Sequence, residues 1–169
     1  RKRLGADAFH TLTAFASIKI RARMINLYWE AERRSRIVTG TTNRTEMILG
    51  DFCKYGDGGT DTEALSHLYK NQIYQLSHYL KVVPEIINRS PSPDTFSLPV
   101  GDQEFFFRIP FNRLDHLLYA WEHKVPAEET ARILELPIDA VQRSYADFSA
   151  KSKATAHLRE MPHEIPFED

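Results

Sequence analysis

Between Gly40 and Asp61 the chain reads GTTNRTEMILGDFCKYGDGGTD, and no other stretch limits the possible folds as much. It follows the β-branched run Ile37-Val38-Thr39, and within ten residues it holds four of the seven glycines, Gly50, Gly56, Gly58 and Gly59. Arg44, Lys54 and several carboxylates stand among them. Glycine lets backbone N–H groups approach an anion closely and adopts positive φ without strain. Nucleotide chemistry is therefore the first expectation. A β-branched run that ends in glycine and hydroxyls reads as a buried strand opening into a functional loop.

The flanking segments read as helices. From about Phe9 to Arg34, apolar residues Phe15, Ile18, Ile20, Met24, Leu27, Tyr28 and Ala31 recur at mostly three-to-four spacing, which predicts one long amphipathic helix. Asn43, with Glu46 three positions on, has the pattern of a capping box and predicts a short helix through Leu49. Ser66 to Leu80 returns to helical spacing, and Pro84 can start another short helix through Asn88. Arg89 to Phe107 contains three prolines, three serines and a glycine, so an irregular excursion is expected there, either disordered or a lid. From about residue 110 onward, three segments that begin at Pro110, Pro126 and Pro137 form a helical cluster. One convincing strand stands among all these helices.

Bulk composition narrows the function classes. At 169 residues and 42% hydrophobic content the chain suffices for one domain with a real core. A net charge of −1 gives no global field of the kind expected for a dedicated nucleic-acid or membrane-surface binder. No apolar run approaches the ~18 residues of a membrane span. The single cysteine, Cys53, excludes an intrachain disulfide, and no Cys/His group has zinc-ligand spacing, which suits a reducing cytoplasm. His116 and His123 are two turns apart and are not a zinc pair. Nucleophilic catalysis has no positive support: there is no G-x-S-x-G, and no histidine is near Cys53 in sequence.

Thr41 and Glu46 come just after the strand, while Lys54 and Lys70 flank the glycine turn. Hydroxyl and ammonium groups can hold phosphate oxygens, and a carboxylate such as Glu46 can ligate a Mg²⁺ that bridges them. The bland alternative is a solvated helix face beside an ordinary turn. Asp57-Gly58-Gly59-Thr60-Asp61-Thr62 has the outline of an S-G-G-x-D-S phosphate loop, but no clear strand precedes it and Asp57 would repel a phosphate. Asp57 and Asp61 better suit ribose hydroxyls, an ammonium ion or a metal.

Four motifs together resemble NAD⁺ synthases: G-T-x-N-x-x-E (Gly40 to Glu46), K-Y-G-D-G-G-x-D (Lys54 to Asp61), H-L-Y-K (His67 to Lys70) and R-x-P-S-x-D-T (Arg89 to Thr95). The likeness runs from Ile20-Arg21-Ala22-Arg23-Met24 to the tail Ala156-His157-Leu158-Arg159-Glu160-Met161-Pro162, and the F-F-F-R-I-P-F segment resembles a bacterial subgroup. It implies an α/β parent fold of the adenine nucleotide alpha-hydrolase, Rossmann-like kind, of which residues 1–169 would form the C-terminal, largely α-helical part of a single domain. It implies ATP-dependent amidation of deamido-NAD⁺ through an adenylylated intermediate, with release of pyrophosphate and AMP. By resemblance, Thr41, Lys70 and Ser92 contact ATP, and Glu46 holds Mg²⁺. Arg21, Lys54, Asp61 and His157 hold deamido-NAD⁺. Lys70 and Asp57 are the expected catalytic residues, Asp57 near the ammonia path, and the Arg89 to Phe107 excursion is the expected closing loop. A homodimer is also implied, with the Phe9 to Arg34 helix as its face. Whether ammonia arrives free or from a glutaminase domain or partner is left open.

Two departures qualify the resemblance. Many relatives carry His-Lys in the tail where this chain has His157-Leu158, and the family's S-G-G-x-D-S loop does not occur in residues 1–169. The first residue is Arg1, so the chain is expected to be a piece of a longer protein with its phosphate cradle upstream and without turnover alone. One alternative is a non-catalytic nucleotide-binding or dimerisation fragment. Another reads Pro126 to Lys153 as a DNA-binding helix-turn-helix, but Asp139 and Asp147 beside Arg143 and Lys151 deny it a basic face.

Overall fold

The structure, a computed structural model, describes residues 5–92, 95, 101 and 109–165. In chain order its elements are α1 (Ala6–Arg33), β1 (Thr39–Gly40), α2 (Arg44–Leu49), β2 (Thr62–Glu63), α3 (Lys70–Tyr79), α4 (Pro84–Ile87), α5 (Phe111–Glu122), α6 (Ala127–Leu134), α7 (Ile138–Ala154) and α8 (Ala156–Arg159). Most of the Arg89 to Phe107 excursion, and with it the expected closing loop, lies outside the described residues.

The core forms where α2, α5 and α7 meet. Leu114, Leu117 and Leu118 of α5 share one helical face and pack with Leu49, Tyr69, Val141 and Phe148. Leu49, Leu114, Leu118, Val141 and Phe148 are almost fully enclosed, each worth roughly 1.5–3 kcal/mol relative to exposure. Pro110, Pro126 and Pro137 stand at the N-caps of α5, α6 and α7, where the fixed φ of proline suits entry into a helix.

The α2 helix is short and held at both ends. Asn43 accepts from the Glu46 N–H at 3.1 Å, and Glu46 Oε2 accepts from the Asn43 N–H at 3.1 Å, which is the expected capping box. At the other end Gly50 takes φ 75°, and a Cβ there would overlap the Thr155 side chain, so both backbone and packing require glycine. The Arg159 guanidinium donates to the carbonyls of Met47 at 3.1 Å and Ile48 at 3.4 Å, two acceptors that the end of a helix leaves unpaired.

Three expectations change. The sheet has two strands, because β1 pairs in parallel with β2. Asp61 completes that contact: its N–H donates to the Val38 carbonyl at 3.0 Å, and its carboxylate accepts from the Val38 N–H at 2.7 Å. A two-residue strand is too short to leave an alternating pattern, so Thr62–Glu63 was invisible in the sequence. The α3 helix begins at Lys70, where Gln72 Oε1 accepts from the Tyr69 N–H at 2.9 Å; Ser66 to Tyr69 precede the helix. The α1 helix has two apolar faces. Ala16 and Met24 are buried and Ile20 and Tyr28 are half-buried on one side, while Phe15, Ile18, Ile25 and Trp29 are exposed on another.

Candidate functional site

A cleft of about 750 Å³ opens between α1, the glycine turn, α2 and the start of α3. Its lining includes Thr41, Glu46, Asp57, Lys70 and Ser92, which are separated by as many as 51 positions in sequence. Each arrives on a different support. Thr41 follows β1, Glu46 stands in the first turn of α2, Asp57 belongs to the glycine turn, and Lys70 is the first residue of α3.

Lys70 Nζ lies 3.1 Å from Glu46 Oε1, and both side chains keep less than a fifth of their surface in water, 19% and 18%. Partial burial raises the strength of such a pair above that of a surface ion pair. The Lys70 ammonium also lies 5.7 Å from the centre of the Phe111 ring. Across the cleft, Asp57 accepts from the Cys53 N–H at 2.7 Å. Displacement of water by surrounding protein pushes its carboxyl above the ordinary value, aided by the Glu46 charge and opposed by N–H groups of Cys53, Asp57 and Gly58. Asp57 still has an exposed flank, so solvent screens that environment.

The glycine turn itself does not present its amides to the cleft. The N–H groups of Gly56 and Gly58 both donate to the Cys53 carbonyl, and that of Gly59 donates to the Gly56 carbonyl. A Cβ on Gly59 would lie 2.8 Å from Tyr55 Cα, so glycine is needed there for close backbone packing. The turn is a folded plug beside the cleft and not an anion cradle.

The remaining expected residues fall into a second group. Arg21 Nε donates to the Lys54 carbonyl at 3.2 Å, and Lys54 Nζ donates to the carbonyls of His157 at 2.6 Å and Glu160 at 2.8 Å. Arg21, Lys54 and His157 are thus brought together, with the Lys54 ammonium at the carbonyl end of α8. Asp61 stands apart from that chain of contacts, bonded to the Tyr28 hydroxyl at 3.2 Å and to Val38. Burial, then the Asp61 carboxylate, raises the Tyr28 phenol above its usual value.

Behind the cleft lies a set of polar contacts that the sequence reading missed. Asp115 of α5 is 5% exposed; it accepts from the Thr45 hydroxyl and from the Asn71 N–H, each at 2.7 Å. Thr45 Oγ1 in turn accepts from the Lys70 N–H at 3.1 Å. Desolvation pushes the Asp115 carboxyl up; the Asn71 and Thr45 hydrogen bonds and the charges of His116 and Lys70 act against that. Two turns further along α5, Glu122 accepts from Arg44 and from the Tyr69 hydroxyl. The usable signal was an acid at position 115 among the inward apolar positions 114, 117 and 118, since a buried carboxylate needs partners.

A profile of the NAD synthase family matches residues 4–162. The chain belongs to the NAD synthase family. The NH(3)-dependent NAD(+) synthetase of Rhizobium rhizogenes is 39% identical over 162 residues, which cover 96% of this chain and 49% of that protein. The enzyme of the same name from Thermoplasma volcanium is 36% identical over 90% of this chain and 57% of its own length. The chain therefore spans about half the length of the curated relatives it matches. Among solved structures, the NMN synthetase of Francisella tularensis superposes with a TM-score of 0.70 at 24% identity, covering 92% of this chain and 58% of that one. The NH3-dependent NAD synthetase of Campylobacter jejuni gives 0.67 at 24% identity, covering 95% and 61%. These neighbours carry the Rossmann-like NAD synthetase fold, of which this chain has a mostly helical portion with a two-stranded parallel sheet.

Among the described residues no three His, Cys, Asp or Glu side chains cluster to hold a metal, and no helix is long and apolar enough to cross a membrane. Of the carboxylates that line the cleft, Glu46, Asp51 and Asp57, it is Glu46 that offers a hard oxygen donor with the Lys70 charge beside it. That donor set fits a Mg²⁺ held by one carboxylate and completed by substrate phosphates, the usual arrangement for this ion.

Proposed function

We propose that this chain supplies part of the active site for ATP-dependent amidation of deamido-NAD⁺ to NAD⁺, in a cytoplasmic enzyme. The observation that carries this reading is the convergence of Thr41, Glu46, Asp57, Lys70 and Ser92 on one cleft. In the proposed reaction a nicotinate carboxylate oxygen attacks the α-phosphorus of ATP and pyrophosphate leaves. Ammonia then attacks the acyl carbon, AMP leaves with the bonding pair, and the nitrogen loses a proton. Lys70 neutralises charge on the phosphates, and the Thr41 and Ser92 hydroxyls donate to their oxygens. Bound Mg²⁺, held at Glu46, would supply further charge neutralisation. Asp57 faces the same cleft with an exposed carboxylate suited to hold an ammonium ion or accept its proton. Arg21, Lys54, His157 and Asp61 are proposed to bound the deamido-NAD⁺ side; Lys54 must then share its ammonium with the α8 carbonyls it now contacts.

The test is titration of the chain with MgATP, followed by assay of AMP release in the presence of deamido-NAD⁺ and ammonia. MgATP should bind, and Lys70→Ala should weaken it by about tenfold or more, the loss expected for one charge-assisted contact. An unchanged affinity in that variant would remove the phosphate role from Lys70. Binding without AMP release would favour the second reading, a nucleotide-binding fragment, which the absence of S-G-G-x-D-S from residues 1–169 supports.

The homodimer belongs to the same proposal. Phe15, Ile18, Ala22, Ile25 and Trp29 recur at alternating spacings of three and four along the exposed side of α1, the pattern of a helix–helix seam. Sedimentation of Ile25→Lys against the parent chain tests it: a charge in that seam should shift a dimer to monomer. The helix-turn-helix alternative gains no support, because on α7 Asp139 pairs with Arg143 and Asp147 with Lys151.

A further inference from the structure

We infer that Asp115 is a positioning residue for the cleft: from α5 it clamps Thr45 of α2 and Asn71 of α3 and thereby sets Lys70 opposite Glu46. The geometry is a junction of three helices at one carboxylate. Oδ1 takes the Thr45 hydroxyl and Oδ2 takes the Asn71 N–H, both at 2.7 Å. The residues so gripped are the immediate neighbours of the cleft pair, Thr45 beside Glu46 and Asn71 beside Lys70. A second tie closes the ring, since the Thr45 oxygen accepts from the Lys70 N–H at 3.1 Å. Asn71 adds a third by donating its side-chain amide to the Phe111 carbonyl at the start of α5, 2.7 Å away.

The contacts have an energetic logic. The first N–H groups of α3 have no partner within their own helix, and an enclosed donor left unpaired is costly. Asp115 and Thr45 satisfy two of them, and a carboxylate at a helix N-terminus also meets the positive end of the macrodipole. Purely as a core position, residue 115 would be better filled by leucine, because burying a carboxylate needs compensation from well-placed donors. A buried acid whose two oxygens reach the two elements that carry the cleft pair fixes their relative position as an apolar residue cannot. Asp115 itself does not line the cleft, so it acts through Lys70 and Glu46.

This inference rests on the proposed phosphate role of Lys70 and Glu46 only for its consequence in binding; the positional claim can be read without any ligand. The experiment compares the chain with Asp115→Asn, Thr45→Val, Thr45→Ser and Thr130→Val by NMR. Thr130 serves as the structural control, because its hydroxyl is bonded to the Tyr145 hydroxyl at 2.8 Å between α6 and α7, away from the cleft. Asp115→Asn should accelerate amide exchange at Asn71 by about tenfold or more, as expected when a charged acceptor is lost. It should also shift the Glu46 carboxyl carbon and the Lys70 side-chain nitrogen. Thr45→Val should move the same signals, and Thr45→Ser, which keeps the hydroxyl, should restore them. Thr130→Val should lower the melting temperature and leave them in place. If Asp115→Asn does not fold, the Thr45 pair gives the answer alone. Unmoved Glu46 and Lys70 signals in Asp115→Asn and Thr45→Val, or equal movement in Thr130→Val, would overturn the inference. In parallel, MgATP affinity should fall in Asp115→Asn and hold in Thr130→Val. A parent chain that does not bind MgATP would sink the proposed function while the NMR comparison still decides the role of Asp115.

Discussion

In the cluster of α2, α5 and α7 most large apolar residues point inward, with Tyr119 and Ile138 as exceptions, whereas α1 divides its own between the glycine turn and open solvent. Leu114, Leu118, Val141 and Phe148 are sealed on every side, while Phe15, Ile18, Ile25 and Trp29 on α1 keep more than half of their surface exposed. The polar groups divide the same way. Glu122 and Asp115 in the cluster are tied to Arg44, Tyr69, Thr45 and Asn71. On α1, Glu30 pairs with Arg33 and Arg34 on the surface, where such contacts are worth roughly 0–1 kcal/mol. The cleft lies on the seam between these two kinds of structure. One wall comes from Glu46 of α2 and Lys70 at the start of α3. Its other wall is α1, which contacts the glycine turn through Arg21 to Lys54 and Tyr28 to Asp61.

Core truncation should give the largest effect and the sharpest contrast. Phe148→Ala removes a ring that is 1% exposed and stacks edge-on with Trp121, and should cost about 3–5 kcal/mol in a urea titration. Ile25→Ala, at 70% exposure, should change the stability of an isolated subunit by no more than ~0.5 kcal/mol. Comparable losses at both positions would show that α1 is part of the same cooperative core, and the contrast would fail.

Gly50→Ala comes next, because it disturbs the cluster through backbone conformation and crowding instead of lost apolar area. A left-handed φ costs a non-glycine residue roughly 1–2 kcal/mol, and the overlap with Thr155 adds to that. Circular dichroism melts should show the loss. Gly5→Ala, at the N-cap of α1 with negative φ and nothing within 4 Å, should have a smaller effect.

The cluster was also the more legible half. The Asn43/Glu46 capping box and the prolines before α5, α6 and α7 are local signals, and each marks an element where the sequence placed it. The cleft lining of Thr41, Glu46 and Lys70 was suggested by hydroxyl, carboxylate and ammonium groups placed around the glycine turn, and then by the motifs of the family. What escaped depends on distant partners. β2 exists because Asp61 meets Val38, 23 positions away, and the role of Asp115 needs Thr45, 70 positions away. Neither pairing leaves a periodic trace. On α1 the spacing was legible, but the division of its apolar residues was not: Phe15 and Ala16, or Ile18 and Ile20, point to different sides of one helix.

The smallest effect is a pH response within the cluster that should have opposite signs at two carboxylates of α5. Burial alone would raise the Glu122 carboxyl, but hydrogen bonds from Arg44 and Tyr69 together with the Arg44 charge hold it below its ordinary value. A lowered carboxyl contributes stability that is present above its unfolded pKa of ~4.3 and is lost as pH falls through the folded value. Asp115 is displaced upward, chiefly by burial. Between its unfolded pKa of ~3.9 and the higher folded value, the folded chain binds the proton more tightly, so stability falls as pH rises through that window and recovers on acidification. Urea midpoints measured between pH 6 and 3 should therefore show the advantage of the parent chain over Glu122→Gln shrinking as the solution is acidified. Its advantage over Asp115→Asn should grow across the same range. Slopes of one sign for both variants would mean that the two carboxylates share one electrostatic environment, and that the Arg44–Glu122–Tyr69 contacts are not separate from the Asp115 junction behind the cleft.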